Sequence, residues 1–155
     1  MPVTIPPCTK IELLTPELQT YVVIAQSVAA NMGLEAVVLE TWRDPARHSQ
    51  LYAQGRTEPG PIVTWTQRSA HCDRKAVDIG LKLKGELLQG KTALELAAYR
   101  GFLMACLRDP RCDRRIWSLG LARGRDFFHV QFEGEPSQEN IMRGKTPTQL
   151  KKLLP

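Results

Sequence analysis

Two short segments constrain the fold more than anything else in the chain. Residues 76–81 (Ala-Val-Asp-Ile-Gly-Leu) and 127–132 (Phe-Phe-His-Val-Gln-Phe) alternate in the manner of half-buried strands. In the first, Val77, Ile79 and Leu81 point one way. Asp78 shares the other face with Ala76 and Gly80, whose small size leaves room beside it. In the second, Phe128, Val130 and Phe132 form the core set and His129 lies opposite. Each strand therefore buries one face and offers a possible metal-binding side chain on the other.

The rest of the pattern is helical punctuation around such a sheet. Thr15-Pro16-Glu17 is a cap, a first-turn proline and a first-turn acid, opening a helix that runs to about Met32 and stops at Gly33. Ala36–Leu39 reads as a buried strand that delivers Thr41-Trp42-Arg43 to its end. Asp44-Pro45 opens a second helix ending at Gly55, and residues 56–70 form a polar loop long enough to suggest function. Lys84-Gly85-Glu86 is a turn. Thr92–Glu95 is a capping box for a helix that ends before Asp109-Pro110. Two short closing helices are expected, one capped by Ser137 and one opened by Thr146-Pro147. The fold expected is α+β: a small single domain, residues 1–155, with helices packed on a short, mainly antiparallel sheet.

Composition narrows the function classes. The net charge of +5 favours an anionic partner, either nucleic acid or bacterial cell wall. Basic residues are scattered, with only a short cluster at Arg111–Arg115, so nucleic acid is the weaker choice. The start of the chain lacks a secretory pattern and no apolar run can span a bilayer. Synthesis in the cytoplasm without membrane insertion is the expectation. Cys8, Cys72, Cys106 and Cys112 make no C-x-x-C pair and are expected as free thiols.

The chemistry-bearing residues are few. His71 and Asp78 are an odd offset apart, so they converge only if Cys72–Lys75 turns the chain. Two histidines and a carboxylate suit a catalytic zinc shell with one open position. Asp126, three residues before His129, can serve as base, and Arg43 can steady an oxyanion. No H-E-x-x-H is present, and spacing alone leaves structural roles for His129, Asp78 and Asp126 equally open. His48 is expected on a helix surface, Cys72 outside the ligand set, and Trp42, Trp65 and Trp117 in core or pocket wall.

Taken together, "WRDPARHSQLYAQGRTEPGPIVTWTQRSAH", "AVDIG" and "RDFFHVQF" resemble the zinc peptidases that cut bacterial cell-wall peptides. These comprise D-alanyl-D-alanine carboxypeptidases and dipeptidases, and L-alanyl-D-glutamate endopeptidases including phage endolysins. The resemblance covers roughly residues 36–133. It implies Zn2+ held by His71, Asp78 and His129, Asp126 as catalytic acid, Arg43 as transition-state arginine and Ser69 beside the substrate. The "LYAQGRT" stretch is most similar to the endopeptidase branch and implies Gln54 and Arg56 near the cleft. Peptidoglycan peptides would then be the partner, met by a monomer after holin-assisted release. A D-alanyl-D-alanine carboxypeptidase and a non-hydrolytic zinc module are the alternatives. Two departures stand out: Arg74 occupies a usual glycine position, and "GLARGRDFFH" replaces a G-G-D-W-like stretch.

Overall fold

The computed structural model describes residues 2–118, 120–121, 124 and 126–135. The two closing helices expected around Ser137 and Thr146 lie outside the described residues. A 3-10 turn, Ile11–Leu13, leads into α1 (Pro16–Asn31), β1 (Glu35–Glu40), α2 (Pro45–Ala53), β2 (Ala76–Leu83), β3 (Glu86–Leu87), α3 (Ala93–Arg108), β4 (Ile116–Ser118) and β5 (His129–Phe132). The sheet order is β1-β2-β5-β4 with β3 also on β2, and every pairing among these strands is antiparallel. The expected α+β class holds.

Helix starts follow the local chemistry. The Asp44 carboxylate accepts from Ala46 N at 2.8 Å, and Thr92 and Glu95 close a full capping box. Thr15 differs: its hydroxyl makes no cap bond and is buried without a partner. The start of α1 is set instead by Pro16, whose ring fixes a helical φ and whose missing N–H needs no acceptor. Lys84 and Gly85 both have positive φ, which matches the twist of the two-residue β2–β3 hairpin. The short strands β3 and β4 carry too little pattern to be seen in the sequence.

One face of the sheet packs on α1 and α3. Val77, Ile79, Leu81, Val130 and Phe132 join Leu18, Tyr21 and Ile24 of α1 and Phe102 and Leu103 of α3 in one core. Each large side chain withdrawn from water there contributes roughly 1.5–3 kcal/mol. The strand β1, expected to be buried, is half-buried, since it lies at the sheet edge and pairs only with β2. Trp117 is buried and Trp42 half-buried as expected, whereas Trp65 stands 64% exposed on the loop after α2. The opposite sheet face carries Asp78 and His129.

The turn that lets His71 meet Asp78 is real. Cys72 N and Asp73 N donate to the carbonyls of Ser69 and Ala70, and Lys75 N returns to Ala70 O at 2.9 Å. This single helical turn is closed by Arg74 at φ +62°. A left-handed conformation costs an L-residue about 1–2 kcal/mol, and glycine gives back roughly half of that through its freer unfolded chain. Arg74 is exposed, so no packing opposes the change. Arg74→Gly should therefore raise stability by about 0.5–1 kcal/mol, read as a rise of a few degrees in thermal melting. An unchanged or lower melting temperature would show that the arginine side chain compensates the strain.

Candidate metal centre

Register builds the site. Asp78 lies directly opposite His129 across β2–β5. On the other side, an irregularity between Val38 and Glu40 shifts the β1 pairing, so Glu40 rather than Leu39 stands opposite Asp78. Glu40, Asp78 and His129 thus form a row across three strands, and the turn at residues 71–74 brings His71 onto it.

His71 Nε2 is 3.2 Å from Asp78 Oδ1 and 3.2 Å from His129 Nδ1, and His129 Nδ1 is 3.0 Å from the same Asp78 oxygen. The other ring nitrogens are committed. His71 Nδ1 donates to Thr41 O at 2.7 Å, and His129 Nε2 donates to Gln131 Oε1 at 2.6 Å. With those two edges committed, the inward nitrogens are the ones left to face the carboxylate oxygen, and each is a metal ligand once it holds no proton. Such a triangle of electron-rich atoms requires a cation or a proton at its centre. Tetrahedral zinc with bonds of roughly 2.0–2.1 Å sets its donors roughly 3.3 Å apart, close to the separations here. His71, Asp78 and His129 are the group of this kind found among the described residues, and Cys72 is outside it.

The electrostatics agree with an ionised cluster. Burial opposes charge on Asp78, but His71 and His129 outweigh it and hold the carboxyl well below its ordinary range. Burial likewise opposes charge on His129, yet the bond and charge of Asp78 push it up to about 9. Asp126 sits at φ +59° and is an exposed residue. Its carboxyl is nonetheless crowded by protein. Burial, and then the nearby Asp78 charge, raises its pKa against His129, His71 and Arg43.

Arg43 is held in place from several sides. Its Nε and Nη2 donate to both oxygens of Glu40, and Nη1 reaches His48 Nδ1 at 3.3 Å and Ser69 Oγ at 3.5 Å. Its backbone N–H donates to His71 O at 3.1 Å. Arg47 Nε also donates to Glu40, at 2.8 Å, so two guanidiniums share one carboxylate and a net positive charge remains. Ser69 is buried and its Oγ accepts from His71 N at 3.3 Å. Gln54 and Arg56 serve the loop: Gln54 donates to Pro61 O, while Arg56 donates to Tyr52 O and Thr64 O and covers the Tyr52 ring. Arg56 also lines a cavity of about 350 Å³ with His48, Tyr52 and Gln67.

At the site, one sequence expectation needs correction and two residues need adding. His48 is not a surface residue. It is 4% exposed, because it shares the inner helical face with Leu51 and Tyr52, and its Nε2 donates to Thr66 O at 2.9 Å. Glu40 and Gln131 escaped notice altogether. Gln131 was readable, since it lies two residues beyond His129 and hence on the same strand face. Replacing it by leucine would leave His129 Nε2 unpaired and the ring free to turn. Gln131→Leu should weaken metal binding by about 10–100-fold while the fold persists, measured against a competing chelator. Unchanged affinity would mean the ring is held by packing alone.

All four cysteines are free thiols. The basic cluster is largely neutralised, Arg111 by Asp109 and Arg115 by Asp113 and Glu17, which weakens the case for nucleic acid. Among the described residues, no helix is long and apolar enough to cross a membrane.

No family model matches the chain. Over 61 residues it is 38% identical to the peptidoglycan L-alanyl-D-glutamate endopeptidase CwlK of Bacillus subtilis (strain 168), a match covering 38% of this chain and only 36% of that protein. The crystal structure of the Serratia marcescens L-Ala D-Glu endopeptidase ChiX superimposes with a TM-score of 0.58 at 20% identity, over 79% of this chain and 82% of that one. The chain has the fold of that solved endopeptidase, and 61 of its residues are similar in sequence to a peptidoglycan endopeptidase, in keeping with the family resemblance read from its motifs.

Proposed function

We propose that this chain is a zinc-dependent endopeptidase that hydrolyses the L-alanyl-D-glutamate bond of peptidoglycan stem peptides. The observation that carries the reading is the convergence of two inward-facing imidazole nitrogens and one carboxylate oxygen within about one zinc coordination shell, with Asp126 and Arg43 electrostatically coupled to it. A non-hydrolytic zinc module would need neither of those two side chains.

His71, Asp78 and His129 would hold the metal. When bound, zinc supplies Lewis acidity that polarises a carbonyl and makes water a stronger acid. Asp126 takes the proton of the attacking water as the carbon–oxygen bond forms, and returns it to the amine nitrogen as the amide bond breaks. Its raised pKa brings it closer to the neutral range in which it must both accept and release a proton. Arg43, charged and fixed by Glu40, steadies the negative oxygen of the tetrahedral intermediate. Ser69 braces both Arg43 and the backbone of His71. The chain's positive charge favours approach to an anionic wall, which it would reach after release through a membrane pore.

The test is digestion of purified sacculi with and without a chelator, with fragments identified by mass. Chelator-sensitive appearance of new D-glutamate amino termini, leaving stems that end in L-alanine, supports the endopeptidase. Release of terminal D-alanine would replace it with the carboxypeptidase, and no release with zinc still bound would leave a binding module.

A further inference from the structure

The described residues contain a buried histidine that the mechanism above does not use. His48 lies on α2, is almost fully enclosed, and makes two directed contacts. The Thr66 carbonyl can only accept, so Nε2 of His48 must carry the proton that it donates there at 2.9 Å. The neutral ring then has a bare lone pair at Nδ1, and Arg43 Nη1 lies 3.3 Å from it. An arginine can only donate, so both contacts are satisfied by one tautomer and by no other.

The contact matters because of what else holds Arg43. Glu40 takes Nε and Nη2, and Glu40 also carries Arg47. That leaves Nη1 as the corner of the planar group that Glu40 does not touch, held by His48 and the more distant Ser69 against rocking about the Glu40 contact. A second carboxylate at position 48 would neutralise the arginine. A neutral acceptor orients it and leaves its charge available.

We propose that His48 is a positioning residue, which fixes the Arg43 guanidinium by accepting its Nη1 hydrogen bond while anchoring α2 to the loop at Thr66. The inference rests on the reading of Arg43 as the group that steadies the oxyanion. Burial first, and then the charges of Arg43 and His71, push the His48 pKa below its ordinary value against the opposing Thr66 carbonyl and Glu40. The acceptor form is thereby kept through the neutral range.

The test uses the full zinc-loaded chain and a synthetic stem peptide containing the L-alanyl-D-glutamate bond. Steady-state kcat and KM are compared for the wild type, His48→Leu, His48→Gln, Arg43→Ala and the double variant of Arg43→Ala with His48→Leu. His48→Leu should lower kcat about tenfold with little change in KM, the scale of one hydrogen bond to a charged group. His48→Gln should restore most of it, because its amide can donate to Thr66 O and accept from Arg43. In the Arg43→Ala background His48→Leu should cost nothing further. Equal losses in both backgrounds, or no rescue by glutamine, would overturn the positioning role and leave Arg43 untouched. A wild-type kcat in Arg43→Ala would instead sink the reading of Arg43. Long-range 1H–15N spectra supply a check independent of activity: the proton should sit on Nε2 of His48, and a proton on Nδ1 would overturn the proposal.

Discussion

Asp126→Asn should abolish wall cleavage while leaving the metal bound. General acid–base groups contribute about 10²–10⁴-fold, and Asp126 is asked to supply both halves of the proton transfer. Asparagine is close in volume and tolerates the left-handed backbone that position 126 adopts at φ +59°, so the site should keep its shape. It cannot take a proton from water. The variant should therefore bind zinc stoichiometrically, melt within a degree or two of the wild type, and release stem-peptide fragments from sacculi about 10²–10⁴ times more slowly. Alanine is a poorer test, because it adds backbone strain to the loss of the carboxyl. If Asp126→Asn kept more than about a tenth of the wild-type rate, another group would have to be the base.

The parts of this site that were legible in the sequence are those that depend on local periodicity. Asp78 and His129 declare their shared sheet face because Val77, Ile79, Leu81, Val130 and Phe132 declare the core. The need for a turn between His71 and Asp78 followed from their odd offset, and Arg74 at positive φ supplies it. Arg43 was legible as the outlet of a strand. What was not legible depends on register and tertiary contact. The irregularity that sets Glu40 beside Asp78 is a property of how β1 meets β2, and no local pattern in residues 35–40 encodes it. His48 was misplaced for a related reason: on a nine-residue helix one polar ring among Pro45, Ser49 and Gln50 reads as surface, until the loop carrying Thr66 folds over it. The Thr15 hydroxyl shows the converse, a strong cap signal that the structure leaves unused.

Metal loading should be steeply pH-dependent, and its slope should oppose that of the metal-free fold. In the metal-free cluster His129 is pushed up to about 9 by Asp78, so at neutral pH its Nδ1 carries a proton. A metal must displace that proton, since only the bare nitrogen is a ligand. Affinity should then rise about tenfold per pH unit through the neutral range and level off above about pH 9, with about one proton released per ion. Titration against a competing chelator at about pH 6, 7 and 8 reads the slope, and calorimetry in buffers of different ionisation heat counts the proton. The stability of the metal-free protein runs the other way. His129 titrates near 6.5 when unfolded, so its ion pair with Asp78 is fully present below that pH and is lost as the pH rises through about 9. In acid the pair fails differently, when Asp78 is protonated, and its depressed pKa delays that loss to well below the usual carboxylate range. Thermal melts should accordingly show the metal-free chain weakening between about pH 6.5 and 9 while the gain on adding zinc grows. His129→Gln should remove both slopes. A pH-independent affinity in the wild type would mean that no proton occupies the cluster, and that the electrostatic account of the His71, Asp78 and His129 triangle is wrong.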